Sequence, residues 1–258
     1  MDESGTHSDE YLIIGMLFVP DHGPFHSKLI KVKEARGYYN RSPKRKAQYK
    51  ETHFTKFKSK RDVDVLSDWM DVFVASDAWF RCIIIDWSIW DGSHFGNPFE
   101  PSALKKRRAY KKWAELLLQP EFSSPLRGHR PIRNAQLYLD RLRITYGYDV
   151  LDALEERFTS KYEGDRPFIK SFQHTPSWKD ANQALQLCDA MVGSIYQALV
   201  PSRSEVKLAA RDMVASKLSP FGVDRLDLGF WRQWHPSTLR QRLPRFCAWV
   251  WVPESRRR

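Results

Sequence analysis

Apolar residues along the chain follow two spacings, one typical of buried strands and one typical of helices. Alternating or continuous apolar runs predict strands at residues 1–5, 11–19, 49–57, 79–87, 135–142 and 168–173. Apolar positions three and four residues apart predict helices at 27–36, 62–76, 102–118, 148–158, 177–199 and 205–218. Because strands and helices alternate, the pattern predicts an α/β fold with a mixed sheet flanked by helices.

Capping residues and prolines set the expected limits of three helices. Asp62 is expected to cap the helix that it begins, and Ser177 with Asp180 resembles a capping box. The helix from Ser102 is expected to end before Pro120.

Breaks in the pattern divide the chain into segments. Residues 1–200 are predicted to form the main domain, interrupted by a basic insertion at 22–50. Residues 201–258 carry one more helix and then a sequence rich in Trp, Arg and Pro. We therefore predict a C-terminal helical and Trp-rich extension.

Composition favours a globular protein in a reducing compartment. Hydrophobic residues make up 42% of the chain, and no apolar run approaches the length of a membrane span. Asp2 and Glu3 stand where a signal peptide would be basic. The three cysteines lie far apart in apolar stretches, which favours buried free thiols. The expectation is a soluble, cytoplasmic protein without a membrane partner.

Positive charge is concentrated in blocks. The net charge is +11, and residues 22–61 alone hold 13 basic residues against two acids. Residues 101–133 hold nine against two, and residues 230–258 hold seven against one. Such blocks, with aromatics between them, favour nucleic acid as a partner, although each block alone is typical of a solvated surface. The candidate contacts are Lys44, Arg45, Lys46, Lys105, Lys106, Arg107 and Arg108.

Several acids are placed where an α/β enzyme would hold its chemistry. Asp2 and Glu3 lie at the end of the first strand. Asp140 directly follows the apolar run 135–139, and Asp189 lies among apolar residues of the last long helix. A single buried acid is usually an ion pair or a cap. Three together predict a divalent cation, because Mg²⁺ prefers oxygen ligands. Asp86, at the end of another apolar strand, is the rival of Asp140.

Two motifs resemble a known family. Asp2-Glu3-Ser4-Gly5 and the helix Gln186-Leu-Cys-Asp189-Ala-Met-Val-Gly193 are similar to the bacterial "DESG" family, catalogued as domain of unknown function three-thousand-eight-hundred and regarded as ribonuclease H-like. The resemblance spans about residues 1–200, with Glu51-Thr52-His53 as the middle motif. Members usually have strand residues before the first motif, where this chain has only Met1, and Cys188 replaces the usual Ala.

The resemblance implies a ribonuclease H-like fold and two-metal hydrolysis of nucleic acid. Asp2, Glu51, Asp140 and Asp189 would hold two Mg²⁺ or Mn²⁺ ions. His53 could orient water or protonate a leaving group, or be an ordinary strand histidine. Each remaining candidate could contact the phosphate or the metal ligands, or could have only a structural role. These candidates are Glu3, Ser4, Lys56, Arg141 and Gln186.

Three functions follow from these features. The first is a metal-dependent nuclease, a hydrolase of DNA or RNA, placed by the family's reputation in a phage-defence or mobile-element system. The second is a non-catalytic subunit that binds nucleic acid or a partner. The third is a subunit that docks a protein partner or a second copy through its C-terminal tryptophans, Trp231, Trp234, Trp249 and Trp251.

Overall fold

The computed structural model describes residues 1–4, 10–40, 48–90, 92–123, 135–140, 169–175, 182–223, 225–226 and 245–252. The strands are β1 (Asp2–Ser4), β2 (Tyr11–Phe18), β3 (Tyr39–Asn40), β4 (Gln48–Tyr49), β5 (Trp79–Asp86), β6 (Ala135–Asp140), β7 (Ile169–Thr175) and β8 (Phe246–Trp251). The helices are α1 (His22–Ala35), α2 (Lys60–Val74), α3 (Ser102–Ser123), α4 (Gln183–Leu199) and α5 (Glu205–Leu218). The molecule is therefore a mixed α/β structure, as the alternating pattern predicts.

The main described sheet has the order β1-β2-β5-β8. β2 is antiparallel to both of its neighbours, and β8 is parallel to β5. A second pair, β6 and β7, is parallel, and β3 and β4 form a short antiparallel pair. β2 and β5 read as nearly continuous apolar runs because both of their faces are covered.

Helices cover the two faces of this sheet unequally. One face of the sheet is covered by α1, α2, α4 and α5, and we call it the α4 face; its core includes Ile13, Phe80 and Phe246. The opposite face is covered by α3, through residues such as Trp113 and Leu117, and we call it the α3 face. Successive residues of a strand alternate between these two cores, as Ile13 and Ile14 do.

Two predicted segment boundaries are corrected by these contacts. The predicted insertion 22–50 begins with α1, whose Phe25 and Leu29 belong to the α4-face core. The predicted extension 201–258 contributes α5 to the same core and β8 to the sheet. Both segments hold apolar faces that must be buried somewhere, and the sheet is where they are buried.

Three element limits also differ from the sequence prediction. The strand predicted at 49–57 is instead a two-residue strand, an extended stretch and a 3₁₀ turn at Phe54–Lys56. α3 continues through Pro120 to Ser123, and α4 begins at Gln183. The Ser177–Asp180 motif and the predicted helix 148–158 lie outside the described residues.

The N-terminus of α2 has a capping box, and its N-cap lies three positions earlier than predicted. Ser59 is the N-cap, and Asp62 occupies the third helical position. The Asp62 carboxylate accepts hydrogen bonds from the backbone N–H of Ser59 and of Lys58, both at 2.9 Å. Asp62 therefore stabilises the first turn by receiving N–H groups that the helix leaves unpaired.

Within the described ranges, the structure has no helix with the length and apolarity that crossing a bilayer requires.

Candidate carboxylate site

α4 lies directly on the sheet because β2 has a glycine beneath it. A Cβ atom on Gly15 would overlap Val192 of α4, and the Cys188 Sγ atom lies 3.6 Å from the Gly15 carbonyl oxygen. One stripe of the helix, including Cys188 and Val192, therefore packs on the sheet. The close approach also places Asp189, the next residue of α4, close to the centre of the sheet.

Asp2 and Asp189 both lie near Cys188 of this helix. Asp2 pairs directly with Gly15, so Asp2 and Gly15 lie on the α4 face, and Asp2 is 5% exposed. Burial and the negative charges of Asp2 and Asp189 raise the pKa of the Cys188 thiol to about 12, although the Met1 ammonium lowers it in part. Both carboxylates therefore act on the same thiol, from two different elements.

One face of α4 binds the backbone of residues 50–57, the site segment. Gln186 Oε1 accepts the Thr52 N–H at 2.9 Å, and Asp189 Oδ2 accepts the Phe54 N–H at 2.7 Å. Gly193 comes one turn later, where a Cβ would overlap the Phe54 ring. Gln186, Asp189 and Gly193 thus form one face of α4, and the partner of that face is the site segment.

A buried lysine orients this contact. Lys33 of α1 has no exposed surface, and its ammonium group donates to Gln186 Oε1 at 2.8 Å and to the Lys50 carbonyl at 2.7 Å. The Trp69 ring lies under the same ammonium, 4.9 Å from its centroid. Lys33 therefore fixes which side of the Gln186 amide faces the site segment. The sequence showed it only as one more lysine of a basic block.

Asp62 holds the chain on either side of the site segment. Its carboxylate accepts hydrogen bonds from the Lys50 ammonium at 2.8 Å and from the Tyr38 hydroxyl at 2.6 Å. Burial alone would raise the pKa of Asp62, but these hydrogen bonds and those from Lys58 and Ser59 lower it overall. Burial and the Asp62 contact raise the pKa of Tyr38.

Glu51 and His53 point away from the buried side of the site segment. Thr52 and Phe54 are buried, and alternate residues of an extended chain point in opposite directions. The Glu51 and His53 side chains are 17% and 27% exposed. They therefore line the solvent side of the contact with α4.

His53 also touches the candidate acid. Its Nδ1 atom lies 3.4 Å from Asp189 Oδ2 and 3.0 Å from the Thr55 hydroxyl. Nδ1 also caps the 3₁₀ turn by accepting the Thr55 N–H. Lys56 forms an ion pair with Glu51, which is the structural one of the two alternatives predicted for this lysine.

The second parallel pair adjoins this site through its backbone. The Met1 nitrogen donates to the Tyr138 carbonyl oxygen at 2.8 Å, which brings β6 against β1. Asp140 is the last residue of β6, two positions beyond Tyr138. Its side chain and Arg141 lie outside what the structure describes.

Asp86, the rival of Asp140, lies elsewhere and has a structural task. It pairs with Tyr11 at the far end of β2, four residues from Gly15, which is roughly 13 Å along a strand. Its Oδ1 atom caps a 3₁₀ turn by accepting the Ser88 N–H at 2.9 Å and the Ser88 hydroxyl at 2.5 Å.

The first motif contributes only part of itself to the α4 face. Ser4 is half-buried and pairs with Ile13, so it lies on the same face as Asp2. Glu3 pairs with Ile14, a residue of the α3-face core.

The basic candidates are distributed differently from the acids. Lys105, Lys106, Arg107 and Arg108 belong to α3, on the other face of the sheet from Asp2 and Asp189. Arg108 forms a two-pronged ion pair with Glu100, at 2.6 and 3.0 Å. Lys44, Arg45 and Lys46 lie outside the described residues.

Among the described side chains, no three His, Cys, Asp or Glu residues are arranged to hold a metal ion. The described part of the site brings together two buried acids, Asp2 and Asp189, with His53 beside the second. The three cysteines are confirmed as buried free thiols.

Comparison of the chain with models of known protein families, with curated proteins and with solved structures finds no match.

Proposed function

We propose that the chain is a divalent-metal-dependent nuclease with a ribonuclease H-like fold. The observation that carries the proposal is that Asp2 of β1 and Asp189 of α4 both act on the Cys188 thiol, which lies over Gly15, while Met1 joins β1 to β6 at Tyr138. Three elements that each bear a candidate acid thus lie near one another. The contact between β1 and β6 suits the fold that the sequence motifs imply.

The donor set suits Mg²⁺ or Mn²⁺. Carboxylate oxygens are the ligands that these cations prefer, and two buried acids near one another repel unless positive charge lies between them. Asp189 binds the Phe54 N–H through Oδ2, and a carboxylate has about four lone-pair positions, so this hydrogen bond is compatible with a metal at the same side chain. Asp2, Asp189, Asp140 and Glu51 would hold the ions.

The bound ions would supply Lewis acidity at a phosphodiester and offset the charge of the carboxylates. The residues of the chain do the rest. α4 and Lys33 fix the site segment, so that His53 stays beside Asp189 and Glu51 stays on the same segment. His53 can then donate a proton to a leaving oxygen or orient water. Phosphodiesters are anionic, which suits the net charge of +11.

The test is cleavage of labelled DNA and RNA, single-stranded and duplex, with Mg²⁺, Mn²⁺ or EDTA. We expect cleavage with either metal and none with EDTA. Asp189→Asn and Asp140→Asn should lower the rate roughly a hundredfold or more, since each would remove charge that stabilises the transition state. Asp189→Asn keeps an acceptor for the Phe54 N–H, so the fold should remain.

Asp212→Asn is the matched control, because Asp212 is an exposed acid of α5 that pairs only locally with Arg211 in the described contacts. It should cleave like the wild type. Equal cleavage by wild type, Asp140→Asn and Asp189→Asn would refute the proposal. Loss in Asp86→Asn with full activity in Asp140→Asn would move the site to Asp86.

A further inference from the structure

Phe99 is the outstanding apolar residue of the described surface. It is 94% exposed, the only large hydrophobic residue of the described chain that is fully presented to solvent. Leaving a Phe side chain in water forgoes the favourable free energy of burying its ring. Phe99 therefore contributes nothing to the described core, and its position suits contact with a ligand.

The turn that carries Phe99 is held firmly by hydrogen bonds. Asn97 Oδ1 accepts the Phe99 N–H at 3.1 Å, and the Glu100 N–H returns to the Asn97 carbonyl at 3.0 Å. Glu100 Oε2 accepts the Asn97 N–H, and Arg108 clamps the same carboxylate. The backbone that carries the ring is therefore fixed, which lowers the entropy cost of ordering the turn on binding.

Positive charge lies along the helix that follows this turn. Residues 92–112 contain six basic residues and a single acid, Glu100, which Arg108 already pairs. Lys105 donates to the Pro98 carbonyl at 3.2 Å, which places its ammonium next to the turn. Lys106 lies over the Trp87 ring, 4.9 Å from its centroid, and Trp87 is half-buried.

These features fit a single nucleic-acid strand. A base lies flat on an aromatic ring only when it is not stacked in a duplex, whereas a duplex offers only base edges and phosphates. The nearby ammonium groups suit the phosphates that flank such a base. A purely apolar protein partner would fit Phe99 but would offer no anionic group to the nearby basic residues.

We propose that Phe99, with Lys105 and Lys106, forms a binding patch for single-stranded nucleic acid, in which an unpaired base stacks on Phe99. The patch belongs to the α3 side of the molecule, so it holds the strand apart from the Asp2 and Asp189 site. It narrows the proposed substrate to single strands or single-stranded segments, and in that respect it rests on the proposed function.

The test is fluorescence anisotropy of a labelled oligothymidylate and of its duplex with oligoadenylate, in EDTA and in the Asp189→Asn background. Phe99→Ala should weaken single-strand binding roughly 5- to 150-fold, the range for loss of one stacked base. Phe99→Leu keeps an apolar side chain without a ring and should weaken binding equally. Phe99→Trp should bind as well as Phe99 or better.

A charge variant tests the other half of the patch. Lys106→Gln should lower the slope of log affinity against log salt by about 0.7, the value for one phosphate contact on a single strand. Unchanged thermal unfolding would show that these surface variants fold.

Three results would overturn the inference: wild-type affinity in Phe99→Ala, wild-type affinity in Phe99→Leu, or tighter binding of the duplex than of the strand. Because binding is measured without metal, it is separate from cleavage. Binding that depends on Phe99 without any cleavage would leave the patch intact and refute the nuclease. Cleavage without this dependence would do the reverse.

Discussion

Asp62 and Asp189 are buried acids that both hold the site segment. Asp189 binds its middle at Phe54, and Asp62 binds Lys50 and Lys58 on either side. Each accepts backbone N–H groups, and each touches a titratable neighbour, Tyr38 or His53. A buried carboxylate is tolerated where such donors replace water. The two acids differ in the charges near them. Asp62 has the Lys50 ammonium beside it, whereas Asp189 and the second acid, Asp2, both act on the Cys188 thiol.

Asp62 gives a stability prediction with a definite dependence on pH. Its pKa is lowered in the folded protein, so its contribution is fully present above the unfolded value, near 4, and is lost as the pH falls through the folded value. At pH 7, Asp62→Asn should lower the free energy of unfolding by about 2 kcal/mol, the worth of hydrogen bonds to a charged group.

Urea unfolding of both proteins at several pH values measures this effect. The difference between wild type and Asp62→Asn should shrink as the pH is lowered from 7 to below 4. A difference that is constant with pH would contradict the charged role of Asp62.

The sequence predicts single residues where a motif marks them and fails where only packing does. Asp2, Gln186 and Asp189 were marked by motifs, and the structure places Gln186 and Asp189 on one helix face. Lys33 could not be found this way, because its burial depends on Gln186, which is 153 positions away in the chain. A lysine in a basic block gives no sign of that partner.

α4 is the element that links the sheet to the site segment. It lies against β2 through Gly15 and against Phe54 through Gly193, and both contacts need the absence of a side chain. The spacing of Gln186, Asp189 and Gly193 therefore describes one face of a helix that grips another segment. Chemistry and packing share this face.

Gly193→Ala tests that close approach. Alanine favours a helix over glycine by about 1 kcal/mol, but its Cβ would overlap the buried Phe54 ring. The overlap should prevail, with a net loss of roughly 1–3 kcal/mol in the free energy of unfolding.

Gly23→Ala in α1 is the matched control, since a Cβ atom on Gly23 would have no atom within 4 Å. Urea unfolding should show Gly23→Ala as stable as wild type or slightly more stable. Equal behaviour of the two variants would show that α4 does not pack closely on the site segment.

At the element level the sequence recovers most of the sheet and misses its last strand. β2 and β5 are long apolar runs, and they were predicted to within two residues. β8 was taken as part of a Trp-rich tail, because its pairing with β5 spans more than 160 positions. The strand predicted at 49–57 is wrong because α4 supplies the acceptors for Thr52 and Phe54 that a neighbouring strand would otherwise provide.

The two candidate acids and the basic helix α3 lie on opposite faces of the sheet. Asp2 and Asp189 belong to the α4 face, and α3 with Phe99 belongs to the other side. Sequence alone gives the two charge classes but not their separation, because it does not say which face each helix covers. A strand held at Phe99 would have to pass around the sheet to reach Asp189, which makes binding and cleavage separable by mutation.

The central claim is that Asp2 and Asp189 hold the same divalent ion. Calorimetric titration with Mn²⁺ of wild type, Asp2→Asn, Asp189→Asn and the double variant tests it most directly, with Asp86→Asn as the control. Each single variant should bind Mn²⁺ at least roughly 10- to 100-fold more weakly than the wild type. That is the loss of metal affinity when a residue that supports a metal ligand is mutated. The double variant should lose less than the sum of both, because the acids share a site. Equal Mn²⁺ affinity in all variants, or a loss confined to Asp86→Asn, would contradict the account.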